Sequence, residues 1–130
     1  VPTPSGPFGN FPSHCIADLD ADGRDDVIVC PSNLPYRFEV YRGGSSAVLQ
    51  PPVISPLNGG GNHIVSGDFN ADGHLDLVWM ESSGPVVLKL AHGSGSASIV
   101  VSSTLPLPPH ALYFAPLVAR VDADDRDDLW

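Results

Sequence analysis

DLDADGRDDVIVC, residues 18–30, decides the fold, because an acidic loop runs straight into a short β-branched strand and the pattern then returns. DFNADGHLDLVWM, residues 68–80, is the second copy, and RVDADDRDDLW, residues 120–130, is the third. Asp18 maps onto Asp68, Asp20 onto Asn70, Asp22 onto Asp72, Gly23 onto Gly73 and Asp26 onto Asp76 at an offset of 50; the third copy follows at 52. All thirteen aspartates fall inside these segments.

Around the loops the chain reads as strands. Cys15-Ile16-Ala17 and His63-Ile64-Val65 precede them, and Val27-Ile28-Val29 and Leu77-Val78-Trp79 follow; all are short apolar runs rich in β-branched residues. Phe38 to Arg42, Val86 to Leu90 and Ser98 to Ser102 read as further strands. Fourteen prolines and thirteen glycines leave no room for a long helix. A period near 50 residues with about four short strands per period specifies an all-β chain of β-propeller blades, each of about four antiparallel strands. Residues 1–14 read as the tail of a preceding blade, 15–64 and 65–116 as blades, and 117–130 as the start of a further one. Two full units are fewer than the four blades of the smallest closed ring. The expectation is a fragment or incomplete ring, completed by remaining blades of the same parent chain or by further copies.

Charge sorts the partners. The net charge is −9, and the loops carry all of it, the rest of the chain being nearly neutral. Without clustered Lys and Arg there is no footprint for a phosphate backbone, so nucleic acid is excluded. No apolar run reaches the length of a membrane span, which excludes membrane insertion. Val1 is not an initiator Met, and no basic segment precedes an apolar one, so a processed or excised piece is expected. Cys15 and Cys30 bracket the first loop; a hairpin with Ile16 opposite Val29 brings the two sulfurs together as a disulfide, the other reading being two buried thiols on one face.

The loop chemistry points to a hard cation. Oxygen-bearing side chains at every second position converge on one point, and such a cluster repels itself unless a cation enters it. Gly23 and Gly73 supply the positive φ of the bend. A backbone carbonyl from Arg24 or His74 adds an oxygen, and Asp26 or Asp76 closes the shell. Oxygen ligands in a flexible loop suit Ca2+ better than Mg2+. An EF-hand opens the same way but needs Glu at position 12 between helices; here that position is Val29 or Trp79, in a strand.

DLDADGRDDVIV and DFNADGHLDLVW resemble the Ca2+ loops of FG-GAP/VCBS repeats, the blades of integrin-α-like propellers. The resemblance implies a β-propeller that is secreted or exposed at the cell surface and that binds rather than catalyses. By position it implies Ca2+ ligands Asp18, Asp20, Asp22 and Asp26 with the Arg24 carbonyl, and Asp68, Asn70, Asp72 and Asp76 with the His74 carbonyl. The third copy departs: Arg120 replaces the first Asp and Asp125 the glycine, so Asp122, Asp124 and Asp128 are expected to form a weak or empty site. Asp25 and Asp127 lie outside the pattern and read as exposed charge.

No enzyme motif competes. His14, His63, His74, His92 and His110 form no HExxH, no G-x-S-x-G elbow is present, and one carboxylate set per repeat fits repeated structure better than a single glycosidase pair. Trp79, Trp130, Tyr36, Tyr41 and Tyr113 read mainly as core aromatics, with sugar stacking as the other use. The functional expectation is a non-catalytic recognition or adhesion module for a protein or carbohydrate ligand. The alternative is an accessory propeller region of a larger secreted enzyme or toxin.

Overall fold

Ten strands account for all the regular structure in the computed structural model, which describes residues 13–46, 50–81, 85–107, 118–119 and 127–129. β1 (Ser13–Ala17), β2 (Asp26–Cys30), β3 (Arg37–Tyr41) and β4 (Val53–Pro56) form one antiparallel sheet in chain order. β5 (Gly61–Gly67), β6 (Asp76–Glu81), β7 (Val87–Ala91) and β8 (Ser103–Pro106) form a second of the same topology. β9 (Val118–Ala119) and β10 (Asp128–Leu129) make a separate antiparallel pair. The expected all-β architecture of four-stranded antiparallel units is what the chain forms. β4 and β8 lie at sheet edges, where Pro56 and Pro106 cost no ladder hydrogen bond.

The hairpin register is the same in all three repeats. Ala17 faces Asp26, Gly67 faces Asp76 and Ala119 faces Asp128. Each acidic loop therefore leaves its hairpin at the same rung. This register corrects the cysteine expectation: Cys15 faces Ile28 and Ser13 faces Cys30, two residues away from the disulfide pairing, and both thiols are free. Cys15 donates to Ser66 Oγ at 3.6 Å, while Cys30 Sγ accepts the Gly61 N–H at 3.2 Å.

Alternation in β2, with Asp26, Ile28 and Cys30 buried and Val27 and Val29 half-buried, sends one face of the first sheet inward. Ile28, Phe38 and Val40 on that face have no exposed surface, and they meet Ile64, Leu77, Trp79 and Ala91 of the second sheet. Phe38 and Trp79 cross edge to face, ring centroids 4.9 Å apart at 88°. Each such aromatic stabilises the fold by roughly 2–3 kcal/mol through burial, with about 1 kcal/mol more for the ring pair. β1 lies beside β5, where Ser13 Oγ accepts the Ile64 N–H at 3.4 Å.

The segment Ser98 to Ser102, expected as a strand, is not one; the fourth strand of the second sheet is β8. Ile99 is buried against the first sheet and its N–H goes to Ser55 Oγ at 2.9 Å, so this apolar run bridges the two sheets instead of joining a ladder. Trp79 is core as expected, whereas Tyr41 is half-buried and donates its hydroxyl to Glu39 Oε2 at 2.6 Å. Tyr113 and Trp130 lie outside the described residues. Among the described residues no helix is long and apolar enough to cross a membrane.

Candidate metal centre

The loop between β1 and β2 folds around its own carboxylates. Asp18 accepts the Asp22 N–H on Oδ1 at 3.0 Å and the Gly23 N–H on Oδ2 at 2.9 Å. Asp20 Oδ1 accepts the Asp22 N–H at 3.3 Å, and Asp22 Oδ1 accepts the Arg24 N–H at 2.8 Å. Gly23 has φ +86° and Gly73 +87°, the left-handed bend expected of them. Ala21 and Ala71 are also left-handed, at 59° and 60°, which costs about 1 kcal/mol each.

The second loop repeats these bonds. Asp68 accepts Asp72 N–H at 3.2 Å and Gly73 N–H at 3.0 Å; Asn70 Oδ1 accepts Asp72 N–H at 3.1 Å; Asp72 Oδ1 accepts His74 N–H at 2.8 Å. The differences lie in the side chains around Asp72 and Asp22. Arg24 pairs with Asp22 Oδ2 at 3.3 Å, whereas Asp72 Oδ2 accepts from Asn70 Nδ2 at 2.9 Å.

Asp26 and Asp76 have no exposed surface, and each clamps two backbone N–H groups. Asp26 accepts from Leu19 on Oδ2 and from Gly43 on Oδ1, both at 2.9 Å. Asp76 accepts from Phe69 at 2.9 Å and Gly93 at 2.7 Å. The carboxylate thus joins the acidic loop to the turn that follows the third strand of its sheet. Gly43 and Gly93 are obligatory, since a Cβ would collide with the Asp25 and Leu75 carbonyl oxygens. The sequence marked Asp26 and Asp76 as shell-closing ligands; their clamp on a turn 17 residues ahead was not legible from the loop motif.

Ligand atoms of Asp18, Asp20 and Asp22 all lie within 4.8 Å of one another. The cost of that convergence shows in Asp20, whose carboxyl is pushed above the usual aspartate range by desolvation first, then by the charges of Asp26 and Asp22. Asp72 moves the other way, held low by the His74 N–H and then by the Asn70 amide. His92, which no motif marked, lies at the second loop: its Nδ1 is 3.4 Å from Asn70 Nδ2 and 3.5 Å from Asp76 Oδ1. Its repeat partner is Arg42.

Asp25 is exposed, as expected, but Asp127 is half-buried. Its carboxylate accepts the Asp68 N–H at 2.6 Å, and its own N–H donates to the Asp68 carbonyl at 2.8 Å. It ties the β9–β10 pair to the start of the second loop. Arg120, Asp122, Asp124 and Asp125 lie outside the described residues, as does the Asp128 side chain. His14 and His63 are exposed on β1 and β5.

The donor set suits a hard cation: carboxylate and amide oxygens, with no thiolate among them. Residues 18–79 match the family described as an FG-GAP-like repeat. No curated protein and no solved structure matches the chain.

Proposed function

We propose that this chain, which belongs to the FG-GAP-like repeat family through residues 18–79, is a calcium-stapled propeller module that serves in recognition outside the cell. The observation that carries the reading is the convergence of Asp18, Asp20 and Asp22 oxygens within 4.8 Å, on a loop whose backbone bonds recur 50 residues later. Asp18, Asp20, Asp22 and the Arg24 carbonyl hold Ca2+ at the first loop, and Asp26 contributes a lone pair beyond its two backbone bonds. Asp68, Asn70, Asp72, Asp76 and the His74 carbonyl do so at the second. The cation offsets the desolvation and the like-charge repulsion that lift Asp20, and frees Asp22 from its pairing with Arg24. Because each loop joins the first two strands of its sheet, the ion stabilises the fold rather than forming a reaction centre. A protein or carbohydrate is the partner class, and remaining blades complete the ring.

A calcium titration by calorimetry, run with a thermal melt in chelator, tests this. Two sites are expected, and at 100-fold excess over Kd each adds about 2.7 kcal/mol of stability by linkage. Asp72→Ala removes one of them. A melting temperature indifferent to calcium, with no heat of binding, sinks the reading.

A further inference from the structure

Residues 92–99, which leave β7, run from the second acidic loop to the first. At the near end Asp76 accepts the Gly93 N–H, and His92 Nδ1 lies 3.5 Å from Asp76 Oδ1. In the middle Gly95, at φ +71°, sits between the two loops. A Cβ there would lie 3.1 Å from His74 Cε1, 3.4 Å from His74 Nδ1 and 4.0 Å from the Asp20 carbonyl oxygen. At the far end Ala97 and Ile99 are buried in the core cluster that holds Leu19, the residue before Asp20, and the Ile99 N–H is fixed on Ser55 of the first sheet. His74 Nδ1 is buried and makes no hydrogen bond among the described residues, so packing on Gly95 positions that edge of the ring.

We infer that this turn is a strut between the two loops, with the His74 ring on Gly95 as its joint, so that calcium taken up at either loop raises the affinity of the other. The inference rests on the calcium reading above. His74 gives its carbonyl to the second cation, so loading that loop fixes residue 74 and with it the ring against Gly95. Gly95 in turn backs Asp20, which lies between the ligands Asp18 and Asp22 and is itself one. The first cation to bind therefore orders a wall that the two loops share, and the second has less chain left to fix. Packing and not field carries the effect. The charges that act on Asp20 come from Asp26, Asp22 and Asp18 of its own loop, and those on Asp72 from His74 and His92 of its own repeat. By linkage the same factor applies in both directions.

Calorimetry with calcium chloride on the 130-residue chain tests it. Asp72→Ala leaves the first loop to bind alone, and Asp22→Ala the second. The product of the two stepwise association constants of the unaltered chain should exceed the product of these single-loop constants by at least about fivefold. His74→Ala keeps the carbonyl and removes the ring, and the same comparison made in that background should bring the factor close to unity. Amide exchange gives a second readout that needs no fitted constants. In the Asp22→Ala chain, calcium at the second loop should slow exchange of the Gly23 N–H, which Asp18 holds in the first loop, and His74→Ala should abolish that slowing. Two calcium sites with a factor near unity overturn the inference and leave the calcium reading standing. So does a factor that survives His74→Ala, since that change removes the joint, and so does a Gly23 amide indifferent to calcium. No heat at either loop overturns the calcium reading and this inference together.

Discussion

The two acidic loops share a backbone and differ in charge. Both place an Ala and a Gly at positive φ, both fold the first Asp onto the same two N–H groups, and both end on a buried Asp that clamps a distant glycine. In the first loop the third position is Asp20, which is desolvated and faces three like charges; in the second it is Asn70, which donates to Asp72. On the calcium reading proposed above, conformation and cation affinity are thus carried by different residues. The buried Asp and the glycines hold the shape, and the converging side chains set how much the loop needs a cation.

If shape rests on Asp26 and Asp76, removing either carboxylate should have the largest effect of any loop substitution. Asp26→Ala leaves the Leu19 and Gly43 N–H groups unpaired in a buried place, and Asp76→Ala does the same to Phe69 and Gly93. Hydrogen bonds to a charged acceptor contribute about 1.5–3 kcal/mol each, so a loss of roughly 3–5 kcal/mol is expected from each substitution. In a chain of this size that comes close to unfolding. Denaturant melts in calcium and in chelator measure it. A loss that vanishes in chelator breaks the comparison, because the carboxylate then acts only through the ion.

Much of this was legible in the sequence, and what was not has a physical reason. The strands β2 and β6 follow from β-branched runs after each loop, and Gly23 and Gly73 from the need for positive φ. The register was missed by two residues because a hairpin loop of known length still allows several rungs, and burial of Asp26 opposite Ala17 selects one. Ser98 to Ser102 has strand composition, yet tertiary contact outweighs it, since Ile99 bonds to Ser55 on the other sheet. The clamp on Gly43 and Gly93 joins residues 17 apart that only the sheet brings together. His92 is brought to the second loop only by the sheet, which sets its Nδ1 3.5 Å from Asp76 Oδ1.

A smaller effect sharpens the division between shape and affinity. Asp20→Asn gives the first loop the amide of the second while leaving every backbone bond of the hairpin in place. It removes one anionic ligand and the like charge that faces Asp18, Asp22 and Asp26. Calcium affinity at the first site should fall about tenfold, roughly 1.4 kcal/mol by the affinity relation. The melting temperature in chelator should stay level or rise, since the metal-free repulsion is relieved. Calorimetry and paired melts separate the two readouts. A fall in chelator stability as large as that of Asp26→Ala would mean that Asp20 holds the loop shape.

The smallest expected effect is the pH dependence of the metal-free chain, where the two loops pull in opposite directions. Asp20 has its folded pKa raised by desolvation and by neighbouring carboxylates. The folded state therefore binds that proton more tightly, and the stability so gained is present at low pH and lost as pH rises through the raised value. Asp72 has its folded pKa lowered by the His74 N–H and the Asn70 amide, so its contribution is present above the ordinary aspartate range and is lost as pH falls through the lowered value. Mild acidification in chelator thus protonates Asp20 while Asp72 stays ionised, and the first loop is relieved before the second is weakened. Solvent screens both groups, so Asp20→Asn should change the slope of melting temperature against pH across this window by only about 2 °C. If the slope is identical with and without Asp20, the like charges of the first loop are fully screened, and only side-chain geometry distinguishes the two loops.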